Sequence, residues 1–135
     1  MLIRCDKNLI RGFVRRAKQR WPREYVELIY GHCAKDKCLI TMLIEPEQQG
    51  KSNMVIWWED EDAEHLDDLP AQPHLLGVIH SHPRDRDAAP SEFDWVNQRE
   101  SRIAGICALW KPPDKGIHSR VRFYAANALL KMETI

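Results

Sequence analysis

The sequence predicts a single α/β domain, a mixed β-sheet with helices packed against it, and three observations carry that reading. The chain has 135 residues, enough for one hydrophobic core and short of what two domains need. Its first third passes from a helix-period apolar pattern to apolar runs of strand length. Its second half then gives strand, capped helix and strand in succession. Charged residues at 30% and hydrophobic residues at 44% are the balance of an ordinary soluble globular protein.

Ile10, Phe13, Val14, Ala17 and Trp21 recur at helical spacing, with Arg and Lys on the other face. Asp6 is placed to cap this helix, and Pro22 ends it. Tyr25 to Cys33 and Cys38 to Glu45 read as two strands of an antiparallel hairpin, turning around Ala34-Lys35-Asp36-Lys37. Met54 to Trp58 reads as a third strand, with Trp57 and Trp58 on opposite faces. One of them is expected in the core and the other exposed as a contact for a partner. Glu59 to Leu69 is an acidic helix or loop over the sheet. Leu75 to Ser81 is a strand, Ser91 to Arg102 a capped helix, Ile103 to Trp110 a buried strand and Val121 to Ala126 a final strand. Pro112 to Gly116 is a turn, and the chain from Asn127 onward suggests a short helix.

The chemistry concentrates in His80-Ser81-His82-Pro83 and in Pro90-Ser91-Glu92-Phe93-Asp94. On a strand, period 2 puts His80 and His82 on one face. Ser91-x-x-Asp94 has the form of a capping box, and the loop before it lets Asp94 swing back over the strand end. Two imidazoles and one carboxylate make three ligands for a tetrahedral zinc and leave a fourth position for water, which is the catalytic arrangement.

These residues resemble the JAMM (MPN+) zinc metalloprotease family, whose signature is His-Ser/Thr-His-Pro, a loop, Pro-Ser-x-x-Asp and a Glu far upstream. Trp21-Pro22-Arg23-Glu24-Tyr25-Val26-Glu27-Leu28-Ile29-Tyr30-Gly31 is similar to the family's upstream pattern, and the resemblance runs from about Leu9 to Trp110. Eight residues separate His82 from Ser91, one more than is usual in the family. The resemblance implies the MPN, cytidine-deaminase-like fold. It also implies zinc held by His80, His82 and Asp94, Glu24 as general base, and Ser91 as donor to the oxyanion. Glu27 stands three residues from Glu24, so on a strand it faces the other side, toward solvent or a surface cation.

The resemblance implies hydrolysis of the amide bond after the Gly-Gly tail of a ubiquitin-like, β-grasp protein, by a compact prokaryotic-type member. A metal-free MPN scaffold is the competing class. A JAMM-type peptidase with a phage-tail or DNA-repair role is another alternative. Trp57 and Trp58 are the candidate substrate contacts.

The formal net charge is zero but unevenly spread. Residues 1 to 23 carry eight Lys or Arg against one Asp, and Glu59 to Asp68 carries seven carboxylates and no Lys or Arg. The basic helix face reads as solvated, since no aromatic interleaving supports a nucleic-acid role. There is no apolar stretch near the length of a membrane span and no signal-peptide core, so a cytoplasmic location and no membrane partner are expected. Cys5, Cys33, Cys38 and Cys107 are then expected as reduced thiols, and no nearby pair completes a second metal site around Cys33 and Cys38.

Overall fold

The computed structural model describes residues 1–46, 73–83, 102–113, 115–126 and 128–135. Within them the order is β1 (Leu2–Cys5), α1 (Lys7–Arg20), β2 (Val26–Ala34), β3 (Lys37–Ile44), β4 (His74–Pro83), β5 (Ile103–Trp110), β6 (His118–Ala125), β7 (Ala128–Leu129) and β8 (Lys131–Thr134). The strands form one mixed sheet in the order β7-β6-β5-β4-β2-β3-β1-β8. β2 runs antiparallel to β3 and β4, whereas β4 and β5 are parallel. The third strand expected at Met54–Trp58, the acidic segment Glu59–Leu69 and, up to Ser101, the capped helix expected from Ser91 to Arg102 lie outside the described residues.

α1 forms where the periodicity places it. Asp6 caps it by accepting from the Asn8 backbone N–H at 2.8 Å, and Lys18 and Arg20 in the last turn suit the negative end of the helix dipole. Its buried stripe, Gly12, Phe13 and Ala17, packs on one face of the sheet with Tyr25, Ile29, Ile79, Cys107 and Phe123. The Phe13 and Tyr25 rings lie 5.5 Å apart. On the other face Val26, Leu28, Tyr30 and Val78 make a second cluster, and Ile106, Ala108 and Tyr124 a third.

Two expectations are corrected. The segment after Asn127 is strand, not helix: β7 pairs with β6, and β8 lies parallel to β1 with Leu2 opposite Lys131. Ala-Leu-Leu-Lys-Met-Glu favours helix locally, but the ladder with β1, a partner at the opposite end of the chain, overrides that preference. Cys33 and Cys38 are joined in a disulfide, not reduced. The hairpin turns through only Lys35 and Asp36, so Cys33 falls directly opposite Cys38 with their Cα atoms 4.1 Å apart. Cys5 and Cys107 are free and buried as expected, and burial pushes the Cys5 thiol up to about 11 and the Cys107 thiol up to about 12.

The β2–β3 ladder shifts register between Tyr30 and Gly31. A Cβ on Gly31 would lie 1.9 Å from the Leu39 carbonyl oxygen, so only glycine lets the two backbones approach this closely. We expect Gly31→Ala to cost about 2–3 kcal/mol through forced strand separation, read as a Tm lower by roughly 10 °C. An unchanged Tm would show that the ladder relaxes freely at this point.

Among the described residues no helix is long and apolar enough to cross a membrane.

Candidate metal centre

β4 lies between β2 and β5 and is buried along Leu76 to His82. A strand covered on both faces reads as a continuous apolar run, which is why two imidazoles at its end stand out. His80 is 5% and His82 8% exposed. Both lie on the face away from α1, and their Nε2 atoms converge to 2.9 Å, with ring centroids 4.8 Å apart. At that separation one nitrogen donates a proton to the other, or both present lone pairs to a shared cation.

Glu24 is expected on this face from the β2–β4 register. Val26 is opposite His80, and the backbone beyond is held by two bonds. The Ser81 N–H donates to the Tyr25 carbonyl at 2.9 Å, and the Tyr25 N–H donates to the Ser81 hydroxyl at 2.8 Å. The ladder thus ends with a side-chain oxygen where a backbone carbonyl would stand. Pairing of the two strands ends at Val26, and Glu24 stands two residues before β2 begins, where the same register extended past the strand would bring it level with His82. Alternation carried two residues beyond the strand gives the expectation that Glu24 shares the face of Val26, His80 and His82.

Ser81 therefore has a role that the motif reading leaves unassigned. Fully buried, it pins the backbone beside Glu24. Its signal in the sequence is only that a small hydroxyl separates the two histidines.

Glu27 is on the opposite face, as alternation requires, but it does not face solvent. It is 1% exposed and accepts from Arg16 Nε at 2.5 Å and Arg16 Nη2 at 2.9 Å, and also from the Tyr25 hydroxyl. The cation was expected at the surface, yet α1 carries Arg16 over the sheet and seals the carboxylate beneath it. Burial and the bond to Glu27 raise the Tyr25 phenol well above its usual range. Arg16 keeps 37% of its side chain in solvent, so its charge is partly hydrated when Glu27 is removed. We expect Glu27→Gln to cost about 1–2 kcal/mol in urea unfolding through weakened pairing. A loss above about 4 kcal/mol would mean that Arg16 stays trapped without water.

Ser91 and Asp94, and the Trp57 and Trp58 contacts, lie outside the described residues. Among the described residues no group of three or more His, Cys, Asp or Glu forms a metal cluster, and the pair His80 and His82 is what they bring together at this end of the sheet. A cavity of about 700 Å³ lies elsewhere, beside α1, lined by Ile10, Val14, Val121 and Met132 together with Arg11, Arg15 and Lys18.

Comparison with known proteins gives a consistent family. No curated protein matches the chain in sequence. A JAB1/MPN domain protein from Archaeoglobus fulgidus superposes with a TM-score of 0.62 at 22% identity, covering 100% of this chain and 99% of that one. A structure described as JAMM, a metalloprotease-like zinc site in the proteasome and signalosome, gives 0.59 at 20% identity, with 100% and 99% coverage. The solution structure of a protein from Desulfitobacterium hafniense gives 0.61 at 16%, with 98% and 94% coverage. At these identities the likeness is one of fold. The family model for prokaryotic homologs of the JAB domain matches residues 6–122. With the mixed sheet and the placement of His80 and His82, that match fixes the assignment: the chain belongs to the prokaryotic JAB domain family, with the MPN α/β fold.

Proposed function

We propose that this protein is a zinc-dependent hydrolase of amide bonds, acting after the C-terminal tail of a ubiquitin-like, β-grasp protein. The observation that carries the reading is the convergence of His80 and His82, whose Nε2 atoms lie 2.9 Å apart, in a chain of the JAB domain family. The donor set fits the metal. Two zinc–nitrogen bonds of about 2.0–2.1 Å at the tetrahedral angle hold their nitrogens about 3.3 Å apart, and the 2.9 Å found here is reached from that by a small tilt of either ring. His80 and His82 would hold the ion, with Asp94 as the third ligand. When bound, zinc supplies an acidified water and polarises the carbonyl under attack.

The remaining work falls to the chain. Glu24 takes the proton of the attacking water and later delivers it to the leaving amine. Ser91 donates to the oxyanion as the carbonyl becomes tetrahedral. The bonds between Tyr25 and Ser81 fix the backbone at the residue after Glu24, so the base would need little ordering during the reaction. No covalent acyl-enzyme is required, and Cys5 and Cys107, buried and held protonated at neutral pH, take no part.

The substrate side of the reading rests on family membership and on the chemistry of a Gly-Gly tail, whose small residues pass a narrow approach to a metal and pair by main-chain hydrogen bonds. The globular body would rest on Trp57 or Trp58 and the acidic stretch Glu59 to Asp68. The test is a panel of ubiquitin-like fusions with intact and Gly-to-Ala tails. We expect cleavage of the intact tails alone. Charge reversal within Glu59 to Asp68 should raise KM and leave kcat nearly unchanged, because a remote docking contact stabilises ground and transition states equally. Indifference to the tail together with efficient cleavage of unrelated short peptides would make this a general peptidase.

A further inference from the structure

Two strands away from the imidazoles, β6 carries a row of cations on the same face. His82 is opposite Ala108 of β5, and Ala108 is opposite Arg120 of β6. His80 aligns in the same way with Ile106 and Arg122. His118 continues the row opposite Trp110. In a ladder, directly opposed side chains share a face, so Arg122, Arg120 and His118 lie level with the metal pair and beyond it.

Trp110 organises this row. It packs against Ile106, Ala108 and Tyr124, so the ground between the imidazoles and the cations is apolar. The His118 ring lies 5.7 Å from the indole, tilted by 32°. The Arg120 guanidinium sits over the indole at 5.9 Å from the ring centroid. An arginine laid on an aromatic face keeps its N–H fork in plane and turned outward, preorganised for a carboxylate. Arg120 is exposed and Arg122 half-buried. Among the described residues the ion pairs are those of Arg4, Arg16 and Arg20, and none neutralises Arg120 or Arg122.

We infer that Arg120 and Arg122, with Trp110 and His118 beside them, form a receptor for carboxylates on the substrate. This deepens the proposed hydrolase and rests on it for the word substrate. Two strand spacings are about 10 Å, the span of about three extended residues. The receptor thus reads acidic side chains about three residues from the scissile bond. A Gly-Gly tail fills only the two positions before the bond, so the carboxylates read here lie upstream of the two glycines or on the leaving-amine side. A single indole with two arginines does not make the run of stacking platforms that single-stranded nucleic acid uses, which favours an acidic polypeptide.

The experiment separates this receptor from the chemistry. Binding of a fluorescent Glu/Gly peptide and of its Gln/Gly counterpart is measured by anisotropy on the full chain, treated with chelator so that a metal cannot capture the carboxylates. The Glu peptide should bind about fivefold more tightly at low salt, the effect of two exposed ion pairs. Arg120→Gln with Arg122→Gln should erase the preference, and Arg11→Gln with Arg15→Gln, an equal charge change on α1 across the sheet, should keep it. Circular dichroism confirms that each variant folds, and the single variant Arg120→Gln, expected to lose part of the preference, stands in if the pair does not. Equal binding of the two peptides would overturn the receptor, as would equal losses from both double variants. So would an oligothymidylate that binds more tightly than the Glu peptide through the same arginines. A retained peptide preference in a protein that hydrolyses nothing would sink the hydrolase reading and leave the carboxylate receptor standing.

Discussion

His80→Ala combined with His82→Ala should abolish zinc binding and, with it, all hydrolysis. The wild type should carry one zinc per chain by elemental analysis. The double variant removes two of the three proposed protein ligands, and a lone carboxylate does not retain zinc against water. A metal that binds only the folded chain also stabilises it, by about 2.7 kcal/mol when free metal exceeds its dissociation constant a hundredfold. Zinc should therefore raise the Tm of the wild type and chelation should lower it, whereas the double variant should respond to neither. The variant itself should fold, because β4 stays central and apolar and alanine is tolerated where the imidazoles stood. Equal zinc in both proteins would refute the assignment of these two ligands. Absence of zinc from both, under metal-replete conditions, would leave the metal-free scaffold as the better reading.

How much of this was legible in the chain divides by the range of the interactions. α1 could be placed because its periodicity and its Asp6 cap lie within one segment. β4 and β5 could be placed because buried central strands are written as apolar runs, and the shared face of His80 and His82 follows from period 2 alone. What depends on pairing between distant segments was not legible. The β8 strand lies in residues that favour helix, and its ladder partner is β1, more than a hundred residues earlier. The Cys33–Cys38 bond needed the hairpin register, one residue either way being enough to separate the two side chains. Glu27 shows the same limit at the site. Alternation put it on the correct face, but only the packing of α1 reveals that Arg16 closes over it. The cationic row on β6 was invisible for the same reason, since its relation to His82 passes through two strand pairings.

Glu24→Gln should keep the metal and lose the reaction. The substitution preserves size and hydrogen-bonding reach but removes the proposed proton acceptor, and Glu24 is not among the proposed ligands, so zinc content and the zinc-dependent rise in Tm should match the wild type. Loss of a positioned general base costs roughly 100- to 10,000-fold, and the loss should fall on kcat with KM nearly unchanged, because the proton moves only in the transition state. Glu24→Asp tests position apart from chemistry. It retains a carboxylate but draws it back by one methylene, and should recover part of the rate, since small misplacements of a reacting group are costly. Glu27→Gln is the matched control, the same change three residues along and on the α1 face, with an effect on stability and little on kcat. If instead Glu27→Gln were inactive and Glu24→Gln active, the base would have to act from the face opposite His80 and His82. The β2–β4 register that puts Val26 opposite His80 would then be off by one residue, and the proton acceptor would belong to the Arg16–Tyr25 network.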